Sequence, residues 1–219
     1  MDAKIGDESM KKIMLVRPKD FVDISLEIPG IITDVKYFTG DNFVGEKIDG
    51  YEKPAILLTE KAAIALERVQ RQLMEEGCGL KVFDGYRPKR AVAHFIRWGK
   101  QEENGKTKSI YYPDMTRREI FENGFIAPES SHTRGSTVDL TVVKLETGTE
   151  IDMGGSFDFF SEVSYSDYDH LTLDQSKNRV QLRYLMRSEG FEPLQQEWWH
   201  FTLSNEPYPE IYFDFPIQD

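Results

Sequence analysis

The sequence predicts a single domain of the α+β class, with a mainly antiparallel central sheet flanked by helices. Three observations carry that expectation. The chain has 219 residues, 39% of them hydrophobic, which suits one domain with one buried core. A β-rich run over 139–145 is followed by Glu146-Thr147-Gly148-Thr149, a hairpin turn into Glu150-Ile151. The helical stretches do not alternate strictly with strands, as a parallel α/β chain would require.

Taken in order, residues 1–30 form an N-terminal segment of uncertain order, its first twelve residues polar and expected to be loose. The domain proper is expected over 31–219. Residues 31–38 read as a short extended segment, followed by a turn-rich stretch through Gly40, Asp41, Asn42, Gly45 and Gly50. Thr59 can cap a helix that runs to Glu76 and stops at Gly77, with Ala62, Leu66, Val69 and Leu73 on one stripe. Residues 80–83 alternate like a strand and lead into Asp84-Gly85-Tyr86-Arg87-Pro88. Pro88 suits the first turn of a helix to about Trp98, with Ala91, Val92, Phe95 and Trp98 facing inward. Thr116 and Glu119 have capping-box spacing for a short helix ending near Gly124. Residues 174–189 read as a helix ended by Gly190, with Leu182, Leu185 and Met186 in the core, and 198–203 as the final strand.

Composition narrows the function. With 27 Lys+Arg against 38 Asp+Glu the net charge is −11, which repels phosphate backbones and argues against nucleic acid as a partner. No apolar run approaches the roughly 20 residues of a membrane span. Lys11 and Lys12 precede only Ile13-Met14-Leu15-Val16, shorter than a secretory core of about 7–15 residues, so the expected location is the cytoplasm. The single cysteine, Cys78, rules out an internal disulfide and is expected to be a small buried side chain.

Two of the four histidines sit in unusual company. His132 lies in a polar loop that enters the strand at Asp139, and His200 closes Glu197-Trp198-Trp199-His200. A hydrolytic zinc commonly takes two imidazoles and one carboxylate and leaves a fourth position for water. His132, Asp139 and His200 would supply that set if the loop folds back so that both of its ligands reach one ion at about 2.0–2.2 Å, a turn Gly135 permits. Glu197 would then be the base that takes a proton from the attacking water and delivers it to the leaving amine. Positions three apart on a regular strand face opposite sides, so a bulge or a strand end is expected near Trp198 and Trp199. Spacing alone leaves the alternatives open. His-x6-Asp and Glu-x-x-His arise by chance, the tryptophans fit a core, and residues 84–88 fit a plain turn.

Taken together and in this order, Asp84-Gly85-Tyr86-Arg87-Pro88, Ser131-His132-Thr133-Arg134-Gly135 through Asp139, and Glu197-Trp198-Trp199-His200 resemble the zinc D-alanyl-D-alanine dipeptidases. The likeness extends from about Val35 to Pro216, through Tyr37-Phe38-Thr39-Gly40-Asp41-Asn42-Phe43, Asp49-Gly50-Tyr51, Tyr111-Tyr112-Pro113, Phe157-Asp158 and Glu206-Pro207-Tyr208-Pro209. It implies one zinc per chain on His132, Asp139 and His200, with Glu197 as catalytic base. Arg87 matches the arginine beside the scissile carbonyl, where a guanidinium stabilises the oxygen as it turns negative. Asp158 aligns with the partner of the substrate ammonium, Tyr37 with a nearby hydroxyl, and Ser130 with the serine at the carboxylate end.

The implied substrate is free D-Ala-D-Ala, a small zwitterion whose two charges both need partners in a closed site. The alternatives are a D,D- or L,D-carboxypeptidase on peptidoglycan stem peptides, which needs an open groove, and a non-catalytic binding protein on the same fold. His94 and His170 are expected to be solvated or locally bonded, and Lys89 and Arg90 to form the polar face of a helix.

Overall fold

The computed structural model describes residues 12–218. Apart from Lys12, the segment expected to be loose lies outside the described residues. The chain begins with β1 (Lys12–Met14), β2 (Phe21–Asp23), the single helical turn α1 (Ile24–Glu27) and β3 (Ile32–Thr33). Residues 12–30, whose order the sequence leaves open, thus hold regular elements, and Phe21 and Ile24 are buried in the core. The extended reading of 31–38 is only half right, because β3 spans two residues and a 3-10 turn, Lys36–Phe38, follows it.

Next come β4 (Leu57–Thr59) and α2 (Glu60–Glu75), whose first turn is closed by the Thr59 hydroxyl accepting from the Ala62 N–H. The apolar stripe of α2 is buried at Ala62, Leu66, Val69 and Leu73. β5 (Cys78–Asp84) leads through the turn at 85–88 into α3 (Lys89–Gly99), which buries Ala91, Val92, Phe95 and Trp98. α4 (Lys108–Tyr111) is one turn, and α5 (Arg117–Glu122) opens with the expected Thr116–Glu119 capping box. β6 (Thr137–Lys144) follows, then α6 (Leu173–Ser188), β7 (Phe191–Pro193), β8 (His200–Leu203) and β9 (Ile211–Phe213).

Five strands form the central sheet in the order β3-β5-β6-β8-β7. Only the β3–β5 pair is parallel, so the sheet is mainly antiparallel, as expected for an α+β domain. β6 is buried on both faces over all but its last residue, which suits a central strand covered on each side. β1 pairs with β9 and β2 with β4 in two small ribbons. The hairpin after β6 closes through Lys144 N–H to the Thr149 carbonyl, but Glu150 makes only an isolated bridge with Val143 and no strand. Among the described residues, no helix is long and apolar enough to cross a membrane.

Two side chains differ from expectation. Cys78 is half-buried at the start of β5 rather than fully enclosed. His94 takes the bonded of its two expected states, and is buried: its Nδ1 accepts from the Asp49 N–H at 3.2 Å and its Nε2 lies 3.1 Å from a Glu46 oxygen. Arg90 does more than face water, since its backbone N–H and Nε donate to Asp214 at 2.7 and 3.0 Å, tying α3 to the C-terminal tail.

Gly135 ends the 3-10 turn Ser131–Arg134 at φ 83°, and a Cβ there would lie 2.3 Å from the Phe21 ring. Gly77 has a similar φ of 72° but open space around it. Gly77→Ala should therefore cost only the left-handed backbone term, about 1–2 kcal/mol. Gly135→Ala adds an overpacking term of about 1–3 kcal/mol. Urea unfolding of the two variants checks this: equal losses would mean that Phe21 yields and the close approach is unimportant.

Candidate active site

Strand register assembles the centre of the site. Asp139 on β6 lies opposite Asp84 on β5 and opposite His200 on β8, so three neighbouring strands place these side chains in one row. The β5–β6 register shifts between Val82 and Asp84, at the end of the strand where the chain turns toward Arg87. His132 comes from the 3-10 turn before β6, and Gly135 swings the chain back so that it faces Asp139. β8 begins only at His200, and Trp198 and Trp199 are turn residues. That is the strand end the sequence requires. The His200 N–H donates to the Glu197 carbonyl at 3.2 Å, closing a turn that keeps Glu197 beside His200.

Lone-pair atoms of three side chains converge here. His132 Nε2 lies 3.2 Å from His200 Nδ1 and 3.1 Å from Asp139 Oδ2, and His200 Nδ1 lies 3.1 Å from Asp139 Oδ1. Ligands at about 2.0–2.2 Å from one tetrahedral ion would sit roughly 3.3–3.6 Å apart, so the spacing suits a small cation. The outer ring atoms are engaged elsewhere. His132 Nδ1 faces the Gly85 carbonyl at 2.7 Å, which can only accept, so the proton sits there and Nε2 is free for a metal. His200 Nε2 meets Ser131 Oγ at 3.2 Å. Asp139 Oδ1 is buried and has no well-aligned hydrogen bond; its near neighbour is His200 Nδ1 at 3.1 Å, so the two stand as a pair a cation could share. The donor set therefore fits a metal.

Electrostatics agree with the geometry. Burial raises and the two imidazoles lower the Asp139 carboxyl, which ends well below the usual range. Burial alone would lower His200, but its contacts with the Asp139 and Glu197 carboxylates outweigh that and push it up to about 9. In other words, the cluster attracts positive charge.

Arg87 is fixed beside it. Its Nε donates to Asp84 Oδ2 at 2.9 Å and its Nη2 to Asp139 Oδ2 at 3.3 Å, and the Tyr51 hydroxyl donates to the other Asp84 oxygen at 2.8 Å. The guanidinium lies over the rings of Tyr37 and Phe95 at 5.1 and 5.3 Å. Farther along, the Tyr37 hydroxyl donates to Asp158 Oδ2 at 2.8 Å. Asp158 is buried, and burial plus the charges of Asp139 and Glu197 push its carboxyl well above the usual range. It is also the only non-glycine at positive φ among the described residues, at 59°. That conformation costs free energy and persists only where the surroundings impose it.

One cavity of about 220 Å³ is lined by Tyr37, Arg87, Ser130, His132, Asp139, Asp158, Glu197 and His200, which are all the residues the sequence singles out. Phe43, Val92, Phe95, Phe125 and Leu194 form its apolar wall. Sequence reasoning gave no individual role to Asp84, Tyr51 or Ser131. Asp84 and Ser131 lie inside the motifs used above, but their tasks depend on cross-strand register and on a turn.

Comparison with known proteins gives a consistent picture. A family described as D-ala-D-ala dipeptidase matches residues 17–218. A D-alanyl-D-alanine dipeptidase of Enterococcus faecium is 44% identical over 191 residues, covering 87% of this chain and 95% of that protein. The protein of the same description from Streptomyces coelicolor is 44% identical over 198 residues, covering 90% and 98%. One from Escherichia coli is 30% identical over 184 residues, covering 84% of each. The match reaches back to residue 17, earlier than the likeness read from Val35 onward.

The Asp84–Arg87 pair yields a prediction independent of any ligand. Removing either side chain leaves a buried charge short of a partner, so Asp84→Ala and Arg87→Ala should each cost about 3–5 kcal/mol. The double variant should cost clearly less than the sum. Additive losses in denaturant unfolding would show that the two groups do not depend on one another.

Proposed function

The chain belongs to the D-ala-D-ala dipeptidase family, and from that premise we propose that it hydrolyses free D-Ala-D-Ala to two D-alanines, using one zinc ion on His132, Asp139 and His200. Family membership makes it a metallopeptidase-type hydrolase. The observation that carries the finer reading is the shared cavity. The His-Asp-His cluster, Arg87 and the Asp158–Tyr37 pair all open into one space.

Bound in the cluster, zinc would polarise the scissile carbonyl and lower the pKa of water. The remaining work falls to side chains. Glu197, whose Oε2 is 3.4 Å from His200 Nδ1, takes a proton from the attacking water and returns it to the leaving amine. Arg87, already anchored by Asp84, offers its guanidinium to the carbonyl oxygen as charge develops. Asp158 is held by Tyr37 at the other end and pairs with the substrate ammonium. That cation reverses the cost of ionising a buried carboxyl. Ser130 meets the substrate carboxylate, and the apolar wall accepts the alanine methyl groups.

Two variants separate metal binding from chemistry. His200→Ala should lose most of the roughly one zinc per chain together with activity. Glu197→Ala should keep zinc while kcat falls by about 10²-fold or more. Zinc content and turnover measured on the same preparations decide the matter. Zinc loss in Glu197→Ala would make that residue a ligand or a prop rather than the base.

Recognition of the ammonium is tested with N-acetyl-D-Ala-D-Ala, which lacks that charge and adds bulk. The wild type should cleave it far more slowly than the free dipeptide, and Asp158→Ala should lose roughly 3–5 kcal/mol in kcat/KM on the free dipeptide. Comparable wild-type rates on the two substrates, or faster cleavage of a pentapeptide stem, would favour the carboxypeptidase reading instead.

A further inference from the structure

Helix α6 lies outside the cavity, yet it sends a buried cation toward the segment that carries Asp158. Arg179 is 5% exposed. Its guanidinium donates to three backbone carbonyls: Nε to Met153 at 2.6 Å, Nη2 to Val163 at 2.8 Å and Nη1 to Tyr165 at 3.0 Å. Among the described residues it has no hydrogen bond to a carboxylate. Asp152 supplies a nearby negative charge without touching it; burying a cation with no carboxylate hydrogen-bonded to it is costly, and filling a core is served as well by an apolar side chain.

The three carbonyls bracket residues 153–165, where Asp158 sits at φ 59°. The same face of α6 holds the start of this segment a second time. Gln175 Nε2 donates to Asp152 Oδ2 at 3.0 Å, and Asn178 Nδ2 to the Asp152 carbonyl at 2.8 Å. On its other side the guanidinium lies 5.5 Å from the centre of the Trp198 ring, and the Trp198 backbone N–H donates to the Ser164 carbonyl at 2.9 Å. Trp198 directly follows Glu197. One planar fork thus meets both the Asp158 segment and the turn that carries Glu197.

We propose that Arg179 is a positioning residue for substrate recognition: its three-carbonyl clamp holds the Asp158 carboxyl at the ammonium end of the cavity. This rests on the reading of Asp158 as the ammonium partner. Lysine at this position would keep the charge but lose the rigid fork that fits three carbonyls at once.

The test uses the zinc-loaded full chain with Arg179→Lys, and Arg179→Met as the harsher variant. Zinc content should not change, since Arg179 contacts none of the three ligands. Amide exchange across 154–162 should accelerate by roughly tenfold or more, beyond any change elsewhere in the chain. KM for D-Ala-D-Ala should rise by about tenfold with a smaller fall in kcat, more in the Met variant than in the Lys variant. In an Asp158→Asn background, the effect of Arg179→Lys on KM should vanish. If Arg179→Met does not fold, Arg179→Lys carries every measurement. The exchange readout needs no activity, so it separates failure of the clamp from failure of the functional reading. Faster local exchange with KM unmoved supports the clamp and contradicts the role of Asp158. A lower melting temperature with wild-type KM and no local rise in exchange overturns the proposal, as does a KM effect undiminished in the Asp158→Asn background.

Discussion

Burying a carboxylate is expensive, and the site does so repeatedly, on the sheet and on the turns around it. Asp84, Asp139, Asp158 and Glu197 are 1%, 1%, 4% and 7% exposed, respectively, and among the described residues Arg87 is the one Lys or Arg that lines the cavity. With all four ionised, three negative charges are left unmet, and such groups persist only when something compensates them. A zinc dication and one substrate ammonium would meet all three. The deficit is visible in the protein alone: the carboxyl of Asp158 is pushed up, and His200 is drawn up to about 9 by the carboxylates beside it. The fixed posture of Arg87 follows from this charge imbalance, and the proposed zinc and substrate ammonium would answer the rest of it.

The fold's contribution is to hold that imbalance in place. Antiparallel register sets Asp84, Asp139 and His200 side by side on three strands, so their spacing is that of the sheet itself. Groups that must approach from outside the row arrive on turns. Gly135 brings back His132, the turn before β8 brings Glu197, and the segment clamped by Arg179 brings Asp158. Sites built this way combine a rigid base with loops that reach where no strand can.

Much of this was legible in the sequence. Helix starts at Thr59 and Thr116 follow from local capping chemistry, and that after Pro88 from the fixed φ of proline, all of which involve residues only a few positions apart. The strand end before His200 followed from a geometric demand, since Glu197 and His200 must share a side. The eight candidate residues were readable because the motifs that hold them resemble a known family, and the structure gathers all eight around one cavity. What stayed hidden depends on distant partners. The short strands β1, β2, β7 and β9 owe their existence to pairing rather than to their own pattern. Thr172 caps α6 through a box with Gln175 that the sequence reading, which began the helix at Asp174, passed over. Arg90 reads as a surface charge and Arg179 carries no signal at all, because their partners, a tail carboxylate and backbone carbonyls, leave no mark near them in the chain.

The central claim is that a zinc ion settles into the His132–Asp139–His200 cluster, and X-ray absorption at the zinc edge of the holoprotein tests it most directly. The account predicts only nitrogen and oxygen neighbours, about four of them at about 2.0–2.1 Å, with the outer scattering of imidazole rings. A sulfur neighbour at about 2.3 Å, for which Cys78 is the only cysteine available, or a shell without imidazole, would contradict it.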